Sequence, residues 1–209
     1  MDMLKKELAP LSTKVWQEIE SRASEILTTR LAGRKAVRVV GPMGWNYTSV
    51  TEGRLDIVED SGDVKTGVYR STPLTEARVT FSLNRWEMDN LNRGARDIDL
   101  SSLESAVEKI ADFEENAIYN GFKSGAIVGL SEASIHKATK FGDSASSIMQ
   151  AISKGVLLLQ KQSAEKPYAL IVGPDAYLAL SKEVQGIPLV ERIERLINGP
   201  VIQSLTLEG

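Results

Sequence analysis

Side chains able to do covalent or acid–base chemistry are few in this sequence, and they are not spaced to act together. His136 is the only histidine among 209 residues, and cysteine is absent. Zinc and di-iron centres commonly take two or more imidazoles, so they cannot be built within one chain; thiolate metal sites, thiol nucleophiles and disulfide frameworks have no material either. His136 itself reads as a surface or capping residue. Carboxylates gather at Asp112, Glu114 and Glu115, the residue type that general acid–base pairs employ, but they fall within a helical repeat, on what its periodicity predicts to be the solvated face. Glycine-rich phosphate loops, the G-x-S-x-G elbow and the H-E-x-x-H pattern do not occur. This inventory leads to a chain that has no catalytic activity of its own and requires no cofactor and no metal.

The rest of the composition is that of a folded, water-soluble protein, with 42% apolar and 25% charged residues. Its length allows one large domain or two small ones with a real core. Basic and acidic residues number 25 and 28, a net charge of -3; the first 40 residues hold eight basic against five acidic side chains, +3, which leaves -6 for the remainder. No tight basic block interleaved with aromatics accompanies that bias, so no specific nucleic-acid partner is expected. The opening MDMLKKELAPLSTK lacks the apolar core of a signal peptide, and no uncharged stretch approaches the roughly 18 residues that span a bilayer. A cytoplasmic protein with no membrane partner is predicted.

Residues 12–32 read as a helix: Val15, Trp16, Ile19, Ala23, Ile26, Leu27 and Leu31 recur at steps of three and four, with Ser12 as N-cap and Gly33 as stop. A short strand is predicted at 36–40 (AVRVV). From Trp45 to Arg70 the sequence alternates, and LDIVE and VKTGVYR, joined by Asp60-Ser61-Gly62-Asp63, read as a hairpin. That ribbon has few large side chains, is marginal alone, and is expected to lean on something outside its own subunit. Ala77, Val79, Phe81 and Leu83 mark another strand, and residues 84–93 a short helix carrying Trp86 and stopped by Gly94. Ser101-x-x-Glu104 is a capping box that opens a long helix to about Phe122. After a glycine-rich break at 124–130, where a domain boundary is expected, Asp143 or Ser144 caps a helix with Ile148, Ile152, Val156 and Leu159 on one face. Residues 168–172 form a strand, Pro174 opens a helix that Gly186 ends, Pro188 opens another, and 201–208 start a final strand. Strand alternating with helix predicts a small α/β layer.

Five segments in this order, LAPLSTKVWQEIESRA, GRKAVRVVGPMGW, STPLTEARVTFSLNRWEMDNLNRG, DLSSLESAVEKIADFEENAIYNG and KPYALIVGPDAYLAL, resemble the encapsulin shell proteins, a family also labelled linocin or bacteriocin-like. The likeness spans nearly the whole chain. It implies an α+β fold of the Hong Kong 97 phage major-capsid-like type. In that fold residues 1–44 form an N-terminal helix and arm on the shell interior, 45–72 the extended E-loop hairpin, 73–124 the P-domain with its spine helix, and 125–209 the A-domain with the start of a return strand. It further implies self-assembly into a hollow icosahedral particle, a cytoplasmic encapsulin nanocompartment, that encloses a cargo protein through a short targeting peptide. A phage or prophage major capsid protein of the same fold is one alternative, and a small flavin-binding or hydrolytic enzyme a second. Family members continue for several tens of residues beyond the position of Gly209. Those residues supply P-domain strands and part of the cargo pocket, which this chain is expected to lack.

Three sites follow from the resemblance. The first helix helps bind the cargo peptide, here through Leu27, Arg30, Leu31 and Arg34. An apolar stripe edged by arginines suits a peptide that offers aliphatic side chains and an acidic group; the alternative is that the stripe packs on its own domain. Val184, Gln185, Gly186 and Ile187 fall at the pore loop of the five-fold axis, one residue shorter than in some relatives. Arg78 and Trp86 match an arginine and a tryptophan that hold a flavin in some members, by a charged hydrogen bond and by stacking; a core or interface tryptophan is the alternative.

Overall fold

The computed structural model describes residues 5–59, 63–184 and 186–208. Helix α1 (Thr13–Arg30) begins where its cap predicts, with Ser12 Oγ accepting the Val15 N–H at 3.3 Å and so satisfying a donor that a helix start leaves open. It ends short of residue 32: Leu31 leaves helical geometry, and Gly33–Lys35 form a 3-10 turn. Gly33 serves close approach rather than a left-handed stop, since a Cβ there would stand 3.0 Å from Glu115 Oε1 and 3.1 Å from Ile118 Cδ1.

Residues 36–40 are not a strand but part of an irregular arm, in which Val39 and Val40 are exposed. Residues 77–83 likewise form no strand. Both segments carry the alternation of a strand, but alternation only sets which faces a segment can present. Among the described residues, no other strand pairs with either.

The hairpin is formed by β1 (Ser49–Glu59) and β2 (Thr66–Pro73), antiparallel, with Leu55 opposite Tyr69 and Ile57 opposite Gly67. Helix α2 (Arg85–Arg93) is capped by Asn84, whose Oδ1 accepts the Trp86 N–H at 2.9 Å, and closed by Gly94 at φ 109°. The long helix α3 (Ser101–Asn120) starts without the expected capping box. Ser101 is already its first residue, and its N–H donates to Asp99 Oδ1 at 2.9 Å; Glu104 turns instead to Arg22 of α1 at 3.5 Å.

A short α4 (Leu130–Ala133) follows, then α5 (Ala145–Lys161), where Ser144 and Ser147 do make a reciprocal capping box. The remaining elements are β3 (Leu170–Val172), α6 (Pro174–Leu180), β4 (Glu183–Val184), β5 (Ile187–Pro188), α7 (Leu189–Ile197) and β6 (Val201–Gln203). Helix α6 stops at Leu180, well before Gly186, because β4 and β5 occupy that stretch as a tight hairpin whose turn uses Gly186 at φ 77°. The final strand is shorter than 201–208, and β6 pairs in parallel with β3, Leu170 opposite Val201.

Buried side chains gather into two clusters. One joins α1, α2 and the start of α3 through Val15, Ile19, Met88, Leu91 and Leu103. The other joins α5, β3, α6 and α7 through Ile148, Ile152, Val172, Leu180 and Ile193. The β1–β2 hairpin contributes to neither.

Candidate functional site

Helix α1 lies along α3, held by a ladder of charge. Arg22 faces Glu104, Arg30 Nη2 reaches Glu108 at 2.7 Å and its Nη1 reaches Asp112 at 3.3 Å, and Arg34 Nη2 donates to Glu114 at 2.8 Å. The hydrogen bond to Glu114 pushes the Arg34 guanidinium further up from an already high value. Beneath the ladder sits Glu115, fully buried. Its Oε1 accepts the Gly33 N–H at 2.7 Å, and its Oε2 accepts the Tyr119 hydroxyl at 2.7 Å and the Ser204 hydroxyl at 3.1 Å. Ser204 in turn donates its N–H to the Val172 carbonyl at 2.9 Å. One carboxylate therefore clasps the turn that follows α1, the C-terminal end of α3 and the segment leaving β6. Burial, the largest cause, pushes the Tyr119 hydroxyl up to about 12, and the Glu115 carboxylate beside it acts in the same direction.

This corrects the expectation of a solvated carboxylate face. Asp112 and Glu114 are partly exposed and serve Arg30 and Arg34, whereas Glu115 is a satisfied buried charge. The signal was present: Val107, Ala111, Glu115 and Tyr119 stand four apart, so they share one face of the helix with apolar neighbours above and below.

Of the residues expected at the cargo groove, the structure brings together Leu27, Leu31 and Arg34, which line one cleft with Ala23, Thr28 and Lys35. Arg30 is directed to α3 instead and lines a different cleft, with Ile26, Glu108 and Leu205. Of the pore-loop residues, Val184 pairs with Ile187 across β4 and β5 with Gly186 in the turn, and Gln185 lies outside the described residues. Trp86 stands on α2 with 71% of its surface exposed, and Arg78 is engaged by Glu76. His136 occupies a loop, its N–H donating to Ser134 Oγ at 3.3 Å. Among the described residues no three His, Cys, Asp or Glu side chains converge as a metal site would require, and no helix is long and apolar enough to cross a membrane.

Sequence reasoning anticipated an under-packed hairpin, and the register shows how its faces differ. Leu55, Ile57 and Tyr69 share one face and are 51%, 68% and 76% exposed. The other face carries Val68 and the Asp56–Arg70 pair, joined at 2.5 and 2.6 Å. Gly67 makes the first face possible, because a Cβ there would meet Leu55 Cγ at 2.8 Å.

Two small cores, a long helix clasped to α1, and an exposed hairpin that belongs to neither core make a capsid-protein fold of the Hong Kong 97 type. The structure is similar to the crystal structure of a virus-like particle from Pyrococcus furiosus, with a TM-score of 0.57 at 22% sequence identity, covering 92% of this chain and 75% of that one. The family described as encapsulating protein for peroxidase matches residues 1–209, and the chain belongs to it. It is 34% identical over its whole length to the type 1 encapsulin shell protein of Rhodospirillum rubrum, of which it spans 78%. To the type 1 encapsulin shell protein of Mycolicibacterium paratuberculosis it is 33% identical, spanning 80%.

Proposed function

We propose that this chain is a shell protomer, copies of which assemble into a closed hollow particle that encloses another protein. The observation that carries this reading is the surface the chain leaves in water. Its accessible surface is 15135 Å², against about 9,600 Å² for a compact monomer of its 22.9 kDa. Half of the large apolar side chains exposed among the described residues lie between Val39 and Tyr69, in the arm and hairpin. Exposed apolar side chains gathered in this way mark an interaction site, and the excess of total surface is more than three standard interfaces of about 1,600 Å² would need from one partner. It suits a protomer that meets several neighbours through different patches, whose heterologous contacts close into a finite shell when their angles allow. The Leu55, Ile57 and Tyr69 face of the hairpin packs on an adjacent copy, as an E-loop.

In this reading the α1–α3 pair is the spine of a P-domain, and the layer from α5 to β6 is the A-domain. The β4–β5 turn borders the opening on a symmetry axis. The Leu27, Leu31 and Arg34 groove takes a short targeting peptide of the enclosed protein, while Arg30 braces α1 on α3. The chain is structural, and the chemistry belongs to the enclosed protein, in the cytoplasm. The exposed indole of Trp86 offers a face on which a flavin ring can stack. With Arg78 already held by Glu76, stacking is what that site supplies, and flavin absorbance in the purified particle tests it.

Size-exclusion chromatography with light scattering tests the assembly reading. The chain is expected to elute as particles of many copies. Leu55→Asp combined with Tyr69→Asp, which puts charge on the hairpin face without touching either core, is expected to elute as monomer. A wild-type protein that stays monomeric at every concentration sinks the proposal.

A further inference from the structure

The two cores are nearly separate bodies. Among the described residues, no helix or strand of the first packs broadly on one of the second, and the chain passes between them twice. Helix α4 stays with α3, Ser131 Oγ donating to the Tyr119 carbonyl at 2.8 Å. The first passage, residues 134–143 between α4 and α5, has no regular structure and is exposed for most of its length. A stretch with so little burial sets no angle between the bodies it joins.

The second passage is the exit from β6, and there the Glu115 clasp closes. Ser204 is fully buried. Its N–H is bonded to Val172 of β3, in the second core, and its hydroxyl to Glu115 of α3. Two residues on, Thr206 Oγ1 reaches Asp112 of the same helix at 3.4 Å. Ser204 is thus tied to one body through its backbone and to the other through its side chain. Glu115 is fixed in turn by the Gly33 N–H and the Tyr119 hydroxyl. Hydrogen bonds to a carboxylate are roughly twice as strong as those between neutral groups, and three converging donors hold this one from different elements.

Leverage makes that joint consequential. Helix α5, 17 residues long, extends about 25 Å. A turn of about 10° would carry the far end of a body that long by about 4 Å. The cores of protein interfaces pack as densely as interiors, where a gap of about 1 Å already forfeits up to half of the dispersion attraction. A rotation too small to disturb either core is therefore large enough to unmake contacts with neighbouring copies.

We propose that Glu115 and Ser204 form a latch that fixes the angle between the two cores and, through it, the curvature at which copies close into a shell. Being buried, neither side chain can touch a neighbouring copy, so both act by positioning. The inference rests on the shell reading given above and deepens it by assigning the closing angle to two residues inside the protomer.

The absence of cysteine allows spin labels at two introduced ones, Ser24→Cys on α1 and Gln160→Cys on α5, both exposed positions. Double electron–electron resonance then reads the spread of distances between the cores. The full chain carrying Leu55→Asp and Tyr69→Asp is used, so that neighbours do not hold the cores, and each single-cysteine chain reports any distance between copies. Ser204→Ala, which removes one donor and adds no bulk, is expected to broaden the distribution about twofold. Ser12→Ala, which removes a hydrogen bond at the start of α1, is the control: it should lower the melting temperature similarly and leave the distribution as it is. Without the hairpin changes, wild type and Ser12→Ala are expected to give particles of one diameter by electron microscopy, and Ser204→Ala a mixture of diameters and open fragments. Equal distance widths with and without Ser204→Ala, or a broadening shared by Ser12→Ala, overturn the latch, whether or not particles form. A broadened distance with particles of one unchanged diameter overturns the link from latch to curvature. Absence of particles from wild type overturns the shell reading, and the distance widths still decide the latch.

Discussion

The α1–α3 pair and the β1–β2 hairpin use the same kinds of residue to opposite ends. Along α1 and α3 the apolar positions Val15, Ile19, Leu103 and Ala111 are covered by the chain itself, and even a carboxylate, Glu115, is buried with three donors converging on it. In the hairpin Leu55, Ile57 and Tyr69 face water, and the Asp56–Arg70 pair is half exposed on both sides. A two-stranded ribbon standing on its own is marginal. One region is finished within the protomer, and in the proposed assembly the other is finished by a second molecule, so stability and assembly should respond to different residues.

Removing the clasp should have the largest effect on the protomer. Glu115→Ala strands the Gly33 N–H and the Tyr119 and Ser204 hydroxyls and leaves a void, and is expected to cost about 3 to 4 kcal/mol in urea unfolding. An equal loss from Leu55→Asp in the hairpin would erase the contrast between the two regions.

The clasp also predicts a response to alkali. Because Tyr119 is raised from 10.0 to about 12 in the folded chain, its contribution is fully present below pH 10. It is lost as pH rises from 10 toward 12, where the unfolded chain gives up the proton first. Unfolding midpoints across that window should fall more steeply for the wild type than for Tyr119→Phe. Parallel curves would show that the hydroxyl titrates as in the unfolded chain.

Ser12→Ala removes the cap of α1 and is expected to cost about 1 kcal/mol, read from the same denaturation curves, with the hairpin's role in assembly untouched. The smallest difference lies between two ion pairs. Arg30→Ala breaks a pair that spans α1 and α3 and should cost up to about 1 kcal/mol, whereas Arg70→Ala, on the open ribbon, should leave monomer stability indistinguishable from wild type. A larger loss at Arg70 than at Arg30 would mean that the ribbon is anchored to its own chain.

Periodicity made the helices legible, because their burial is local: α1, α2, α3 and α5 each carry an apolar stripe, and α1 and α5 also begin at the caps their sequences offer. The hairpin was legible for the complementary reason, that its alternation came without enough bulk to stand alone. What alternation could not supply is a partner, so residues 36–40 and 77–83 read as strands and are unpaired. The stop at Gly186 was misplaced because a turn glycine looks alike after a helix and between two short strands. At the groove, the resemblance placed Arg30 with Leu27 and Leu31, but its guanidinium is drawn to Glu108 and Asp112 from a helix some 80 residues away in sequence. Glu115 was misjudged on residue type, although the apolar row around it was visible.

The central claim is that the exposed hairpin and arm are completed by other copies of the chain, and negative-stain electron microscopy of the purified protein tests it most directly. Uniform hollow particles are predicted for the wild type, and none for the protein carrying Leu55→Asp and Tyr69→Asp. Hollow particles that form equally well with both charged substitutions in place would contradict the account.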